Sequence, residues 1–493
     1  MNLAHASLKT LLDALCQKKI SQPELLQWSR DQFLQHDPYV GSALEIFDQE
    51  STTAAHASPK GRMSGVPGII KDNICIKGRA MTCASRILEG YRAPYSATAI
   101  TKLEAEGACF IGRGNCDEFA MGSSNETSAY YPVRNPWDLT RVPGGSSGGP
   151  AAAVAAGWVS WALGSETGGS VRQPAAWCGI VGSKPTYGLV SRYGLTAYAS
   201  SLDQIGVFTR TVYDNALVLS IIAGQESTLR DGTAHTVPQD YDLTRTLTGT
   251  IRPGLRIGVL AQALNSEGMS SDMVRAIENA IAEFKKLGAH IVPIELPSME
   301  LGAATYFVIS RAEGASNLGR FDGIRYGHRS SKATSLEETY TLSRSEGFGD
   351  EVQRRILIGN YVLSHGHAAA FYQRAQDAQA LMRAECAEVF KHVDLIIAPV
   401  TPTEAYRFGD CPTNSLQLDL QDYFTCFTNL VGIPALAFPC GFSQSGMPLG
   451  VQLMGPHFSE SLLMETAHAY EQVTPWHTMH PSLENIKNHT KLY

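Results

Sequence analysis

Apolar positions along this chain change period from segment to segment, and the changes mark its elements. In "SQPELLQWSRDQFL" Ser21 followed by Glu24 is a capping-box pattern opening an amphipathic helix, so the first 35 or so residues predict two helices. "GVPGIIKDNICI" (65–76) contains a short apolar run suited to a buried strand. "ATAITKLEAEG" (97–107) predicts a helix stopping at Gly107, and "ACFIGRGN" a second strand. Another strand–helix–strand unit follows: "GLRIGVL" (254–260), a helix with Val274, Ile277, Ile281, Phe284 and Leu287 at helical spacing and Gly288 as stop, then "HIVPIEL". "VDLIIAPV" (393–400) predicts a strand, "IPALAFPCGFSQSGMPLGVQLMG" a hairpin, and "SESLLMETAHAYEQV" a final helix. Strands alternating with helices, plus a hairpin, predict an α/β layered fold around a mixed sheet. The polar, turn-rich stretch 224–254 reads equally as a linker or as a surface excursion; one large domain spanning 1–493 is the expectation.

Composition narrows the function classes. The chain has 493 residues, 44% hydrophobic and 18% charged, and a mean hydropathy of −0.11, the profile of an ordinary globular protein. A net charge of −7 argues against a surface whose own field captures nucleic acid. The run "GRFDGIRYGHRSSK" (319–332), with Arg320, Arg325, Arg329 and Lys332, reads as a solvated surface. Ten cysteines are scattered without a CxxC pair or a zinc-like grouping, which predicts reduced buried thiols, a cytoplasmic location and no metal site. No basic segment leads into an apolar run at the N-terminus, and no stretch of about 18 apolar residues occurs, so neither export nor membrane insertion is expected.

The chemistry concentrates in "VPGGSSGGPAAAVAAGWVSWALGSETGGSVRQP" (142–174), where serines sit among glycines twice. Both clusters are compatible with flexible turns. Gly145 to Gly149 also spell G-x-S-x-G, which would make Ser147 the nucleophile of a strand–turn–helix elbow. That motif needs a strand before the serine, and Pro136 and Pro143 make "NPWDLTRVPGG" a poor one. "SETGGSV" instead follows the apolar "GWVSWALG". A tight loop there would offer the amides of Thr167, Gly168, Gly169 and Ser170 to a developing oxyanion, about 3–4 kcal/mol per donor in enzymes that use one. No histidine lies between His56 and His235, so a local base must be another group. Lys71, which ends the run "VPGII", is the candidate. A lysine acts as base near neutral pH only if its pKa falls by about three units, roughly 4 kcal/mol of differential interaction.

The segment "GGSSGGPAAAVAAG…LGSETGGSVRQPAAWCGIVGSKPTYG" (144–188) resembles the signature of the amidase signature family, and the resemblance runs over nearly the whole chain. It implies that family's fold, a central mixed β-sheet covered by helices on both faces, with N-terminal helices over about 1–60 and a signature core over about 61–210. It also implies a Ser–cis-Ser–Lys triad with Ser170 as nucleophile, Ser146 as bridge and Lys71 as base, Ser147 having at most a supporting role. Within the family, "DEFAMGSSNETSAYYPVRNPWD" (117–138), "SRYGLTAYASSLDQIG" (191–206), "EGASNLGRFDGIRYGHR" (313–329) and "GDEVQRRILIG" (349–359) resemble glutaminase subunits of tRNA-dependent amidotransferases.

That resemblance implies glutamine as substrate. Arg355, or its neighbour Arg354, would hold the α-carboxylate, Asp422 the α-ammonium, and Tyr306 would form a pocket wall. It implies partner subunits B and C in a heterotrimer, and misacylated tRNA bound mainly through the partner. ATP and Mg would be used by that partner, since "GIVGSKP" (179–185) lacks the spacing of a phosphate loop, and no cofactor is implied for this chain. A stand-alone amidase acting on other carboxamides is the alternative. Three positions depart from the family pattern: Pro150 for serine, Glu166 for aspartate and Ser183 for leucine.

Overall fold

Ile69 and Ile70 are chain neighbours, yet they pack into different cores. Ile70 lies with Ile100, Leu103, Val218, Phe284 and Leu463, whereas Ile69 lies with Ala151, Val154, Ala175 and Phe208. Alternate residues of a strand point to opposite faces, so a strand buried on both sides must be apolar throughout. "PGIIK" meets that requirement except at its last residue, Lys71, which is also buried.

The computed structural model describes residues 3–48, 61–225, 229–260, 268–410, 421–482, 486 and 489–493; His56 and Cys411 lie outside them. In chain order the elements are α1 (Leu8–Cys16), α2 (Gln22–Val40), β1 (Ala43–Ile46), β2 (Pro67–Lys71), α3 (Thr98–Ala105), β3 (Cys109–Gly114), α4 (Gly148–Ala155), β4 (Trp161–Glu166), α5 (Arg172–Cys178), β5 (Val181–Lys184), β6 (Gln204–Thr209), α6 (Val212–Ile222), β7 (Arg256–Leu260), α7 (Ser271–Lys286), β8 (His290–Ile294), α8 (Gly302–Leu318), α9 (Leu336–Gly347), α10 (Asp350–Leu363), α11 (Arg374–Val389), β9 (Leu395–Pro399), α12 (Tyr423–Val431), β10 (Ala435–Phe442), β11 (Pro448–Met454) and α13 (Glu460–Val473).

The strands form one eleven-stranded sheet in the order β1-β3-β2-β4-β6-β5-β10-β11-β9-β7-β8. β2 runs parallel to β3 and β4, β7 runs parallel to β8 and β9, and the β10–β11 hairpin is antiparallel. The sheet is therefore mixed, with α3, α6, α7 and α13 on one face and α4 and α5 on the other. A third core joins α8, α11 and α12, through Ile309, Met382 and Leu430 among others.

The local expectations and the structure differ in instructive places. The capping box at Ser21 and Glu24 is formed, but α2 continues to Val40 with Pro38 inside its last turn. The buried face of α7 is Met273, Ala276, Ile277, Ala280 and Phe284, with Val274 and Ile281 at its edge. Ala276 lies against β10, where a Cβ on Gly441 would stand 3.5 Å from its Cβ. Leu243 is buried in the first core, with Tyr241, Leu247 and Ile251 against it. Among the described cysteines none is in a disulfide, and all but Cys16 are buried. Arg320, Arg325, Arg329 and Lys332 are exposed, with Arg325 paired to Asp322 and Lys332 to Glu346. Among the described residues no helix is long and apolar enough to cross a membrane.

Candidate active site

Two residues on from Ile69, Lys71 points to the same face of the sheet as that residue, toward the start of α4. There Pro150 packs at the end of β3, where a Cβ on Gly114 would stand 2.9 Å from its Cγ. The residues entering α4 are Ser146 and Ser147, and the Gly145–Ser146 peptide is cis. Lys71 Nζ lies 2.7 Å from Ser146 Oγ and 3.2 Å from the Ser165 carbonyl oxygen of β4. The amine is fully buried, and burial pulls its pKa down to about 8, against the opposing pull of Cys116, Asp117, Asp203 and Cys83. Burial penalises the ammonium and not the amine, so the neutral amine becomes accessible well below the ordinary lysine range.

Ser147 faces elsewhere. Its hydroxyl donates to the Ser165 carbonyl at 3.1 Å and accepts from the Ser165 N–H at 3.3 Å, which ties the α4 entrance to β4. No strand precedes it, so the elbow reading has no structural basis.

The loop 167–170 joins β4 to α5. Glu166, the last residue of β4, folds its carboxylate over the loop to accept the N–H groups of Val171 and Arg172 at 3.1 and 3.0 Å. The same carboxylate pairs with the Arg172 guanidinium, wholly buried on both sides. Arg172 also reaches Gln452, the Thr425 carbonyl and Asn429, so this buried ion pair is well supplied with hydrogen bonds. Where the family pattern has aspartate, the longer Glu166 still spans to α5. With its return strapped in this way the loop keeps its amides free. Among the described residues the backbone N–H groups of Gly168, Gly169 and Ser170 have no acceptor. Ser170 is 7% exposed, and its carbonyl accepts the Ser147 N–H at 3.3 Å, which brings the two serine clusters together.

Glycine is required here by close approach. A Cβ on Gly168 would stand 2.5 Å from Tyr306 Cζ, and one on Gly169 would overlap Thr425 Oγ1 and stand 3.0 Å from Asp422 Oδ1. Tyr306 from α8 and Asp422 at the start of α12 are thus both brought against the loop. Burial holds the Tyr306 phenol well above its ordinary pKa, with Tyr198, Asp422, Arg355 and Arg311 as its electrostatic neighbours. Arg355 and Arg354 on α10 divide clearly. Arg355 is buried, bonded to Glu351 at 2.6 Å and to the Tyr198 hydroxyl at 3.0 Å. The Arg354 side chain is 38% exposed and pairs with the other oxygen of Glu351.

Several residues of the site were not singled out from the sequence. Asp117, fully buried, accepts the N–H groups of Asn125 and Thr127 and lies beneath Gly145, where a Cβ would overlap its Oδ2. Asp203 accepts the Thr167 hydroxyl at 2.7 Å, and Asn73 bonds Ser165 Oγ at 2.8 Å. Asp203 carried a local signal, a lone acidic residue in "SSLDQIGVF" immediately before a buried apolar strand.

Comparison with known proteins agrees with this geometry. A family model described as Amidase matches residues 24–464. The chain is 46% identical to the A subunit of the glutamyl-tRNA(Gln) amidotransferase of Listeria monocytogenes serotype 4b, over 98% of this chain and 100% of that protein. It is 45% identical to the protein of the same name from Cyanothece sp., over 97% and 100%. Among solved structures it is similar to the corresponding glutamyl-tRNA(Gln) amidotransferase polypeptide of Thermotoga maritima, with a TM-score of 0.82 and 38% identity over 98% of both chains. A lysine–serine pair on a shared scaffold, a family match over most of the sequence and relatives this similar from end to end lead to one conclusion: the chain belongs to the amidase signature family.

Proposed function

We propose that this chain is the glutaminase subunit of a tRNA-dependent amidotransferase. The observation that carries the reading is the buried amine of Lys71, 2.7 Å from Ser146 Oγ, beside a loop whose amides are unengaged among the described residues. Neutral Lys71 takes the proton of Ser146, Ser146 takes that of Ser170, and Ser170 Oγ attacks the side-chain amide carbon of glutamine. The oxyanion forms against the amides of the 167–170 loop. Collapse breaks the C–N bond, the relay returns a proton to the departing nitrogen, and ammonia leaves a γ-glutamyl ester on Ser170. Water, deprotonated through the same relay, hydrolyses the ester to glutamate. Arg355 receives the α-carboxylate, Asp422 the α-ammonium, and Tyr306 walls the pocket.

The end-to-end similarity to A subunits of glutamyl-tRNA(Gln) amidotransferases supports a role in delivering this ammonia to a glutamate esterified to tRNA. The reading assigns ATP, Mg and most tRNA contact to partner subunits B and C, in a heterotrimer where this chain needs no cofactor of its own. The test is ammonia release from glutamine by the chain co-expressed with candidate B and C subunits, wild type beside Ser170→Ala. Release that disappears in the variant while the complex stays assembled is expected. Unchanged release in the variant overturns Ser170, and a wild type active only on other amides overturns the glutaminase assignment.

A further inference from the structure

The loop that receives the reacting carbonyl and the arginine that receives the α-carboxylate lie on different elements, β4 and α10, and one side chain connects them. β4 and β6 pair antiparallel with Glu166 opposite Gln204, so the next residues outward, Thr167 and Asp203, emerge side by side. Asp203 is buried. Its Oδ1 accepts the Thr167 hydroxyl at 2.7 Å, and its Oδ2 accepts the backbone N–H of Tyr198 at 2.8 Å. Tyr198 is itself buried, and its hydroxyl accepts from Arg355 Nη1 at 3.0 Å, with its ring 5.7 Å from the guanidinium carbon. Glu351 takes Arg355 Nε at 2.6 Å from the other side. Tyr198 cannot shift freely: a Cβ on Gly314 of α8 would stand 2.8 Å from its ring, and its carbonyl accepts from Asn317 at 3.1 Å.

We propose that Asp203 is a positioning residue that, through Thr167 on one side and Tyr198 on the other, fixes the span between the 167–170 loop and Arg355, and thereby makes the site a ruler for glutamine. The inference rests on the glutaminase reading and deepens it. The amide carbon of glutamine lies one methylene farther from its α-carboxylate than that of asparagine. A site in which both ends are held on one frame rejects the shorter substrate, because filling Arg355 then pulls the amide away from the loop. Asp203 holds Thr167 and Tyr198, and through them it sets where the loop amides and Arg355 are found.

The experiment measures kcat and KM of the assembled complex on glutamine, asparagine and butyramide, which has no α-carboxylate. Tyr198→Phe removes only the hydroxyl that steadies Arg355. It should raise KM for glutamine by about tenfold or more while kcat changes little and butyramide turnover is unaffected. Thr167→Val should lower kcat on glutamine and butyramide alike. Asp203→Ala removes both acceptors at once; it should combine both effects and narrow the glutamine-to-asparagine ratio of kcat/KM by about tenfold. An Asp203→Ala enzyme that loses the same factor on every amide, with Tyr198→Phe leaving glutamine KM unchanged, overturns the ruler while the glutaminase stands. A wild-type complex that turns over butyramide and not glutamine overturns both.

Discussion

Two lysines end strands of the central sheet, and both are buried, but only one is placed to do chemistry. Lys71 closes β2 and Lys184 closes β5. Burial pulls Lys71 down to about 8, and burial together with the Arg172 guanidinium pulls Lys184 down to about 7. By pKa alone Lys184 is the better candidate for a neutral amine. Its Nζ, however, bonds the Pro185 carbonyl at 2.8 Å, whereas Lys71 Nζ sits 2.7 Å from a serine hydroxyl that can give up a proton. Burial makes an amine neutral; the neighbour decides whether it is a base.

Substituting each lysine in turn separates the two sites most strongly. Lys71→Met should lower glutamine hydrolysis by about ten-thousand-fold, and Lys184→Met by no more than about tenfold, both read as ammonia release from the assembled complex. Equal losses would mean that placement does not distinguish the pair, and a larger loss at Lys184 that pKa outweighs it. Next, Glu166→Gln strands the Arg172 guanidinium beside Lys184 and should destabilise the chain by about 3–5 kcal/mol in denaturant unfolding, since removing one partner leaves a buried charge uncompensated. The smallest effect is on stability against pH. The folded-state pKa of Lys71 lies below the ordinary value of 10.5, at about 8. The unfolded chain therefore binds the extra proton between these values, and wild-type stability rises with pH across that window. Lys71→Met, free of this penalty, should be more stable than wild type by about 3 kcal/mol near pH 7 and should lose that advantage as pH approaches 10.5. Thermal unfolding at both pH values measures the change.

What the sequence revealed divides along the same line between local and long-range order. The capping box at Ser21, the strands at 67–71 and 109–114 and the hairpin from 435 to 454 were legible because their signals lie within a few residues of each other. α4 gave no helical period, since "GGPAAAVA" is buried on every side. Lys71 was legible as a candidate base from the absence of a nearby histidine and its place after "VPGII", the triad roles of Ser170, Ser146 and Lys71 came with the resemblance to the family, and the structure shows the lysine and Ser146 in contact. The partners that hold the site in shape were not legible: Asp203 meets Thr167 across 36 residues, and Arg355 meets Tyr198 across 157. Such pairs are set by sheet order and register, which no local period encodes. A single acidic residue beside a buried strand was their only trace, and buried carboxylates of that kind merit notice because burial without partners is so unfavourable.

Everything in the mechanism depends on Lys71 serving as a neutral amine that acts through Ser146 on Ser170. The pH dependence of the first turnover of glutamine, followed as formation of the γ-glutamyl ester on Ser170 in the assembled complex, reads that state of the lysine. The expected rate rises through a single ionisation near pH 8, levels above it, and collapses in Lys71→Met. A rate that keeps rising past about pH 10, the range of an ordinary lysine, or one that survives the substitution with its profile intact, would overturn the mechanism.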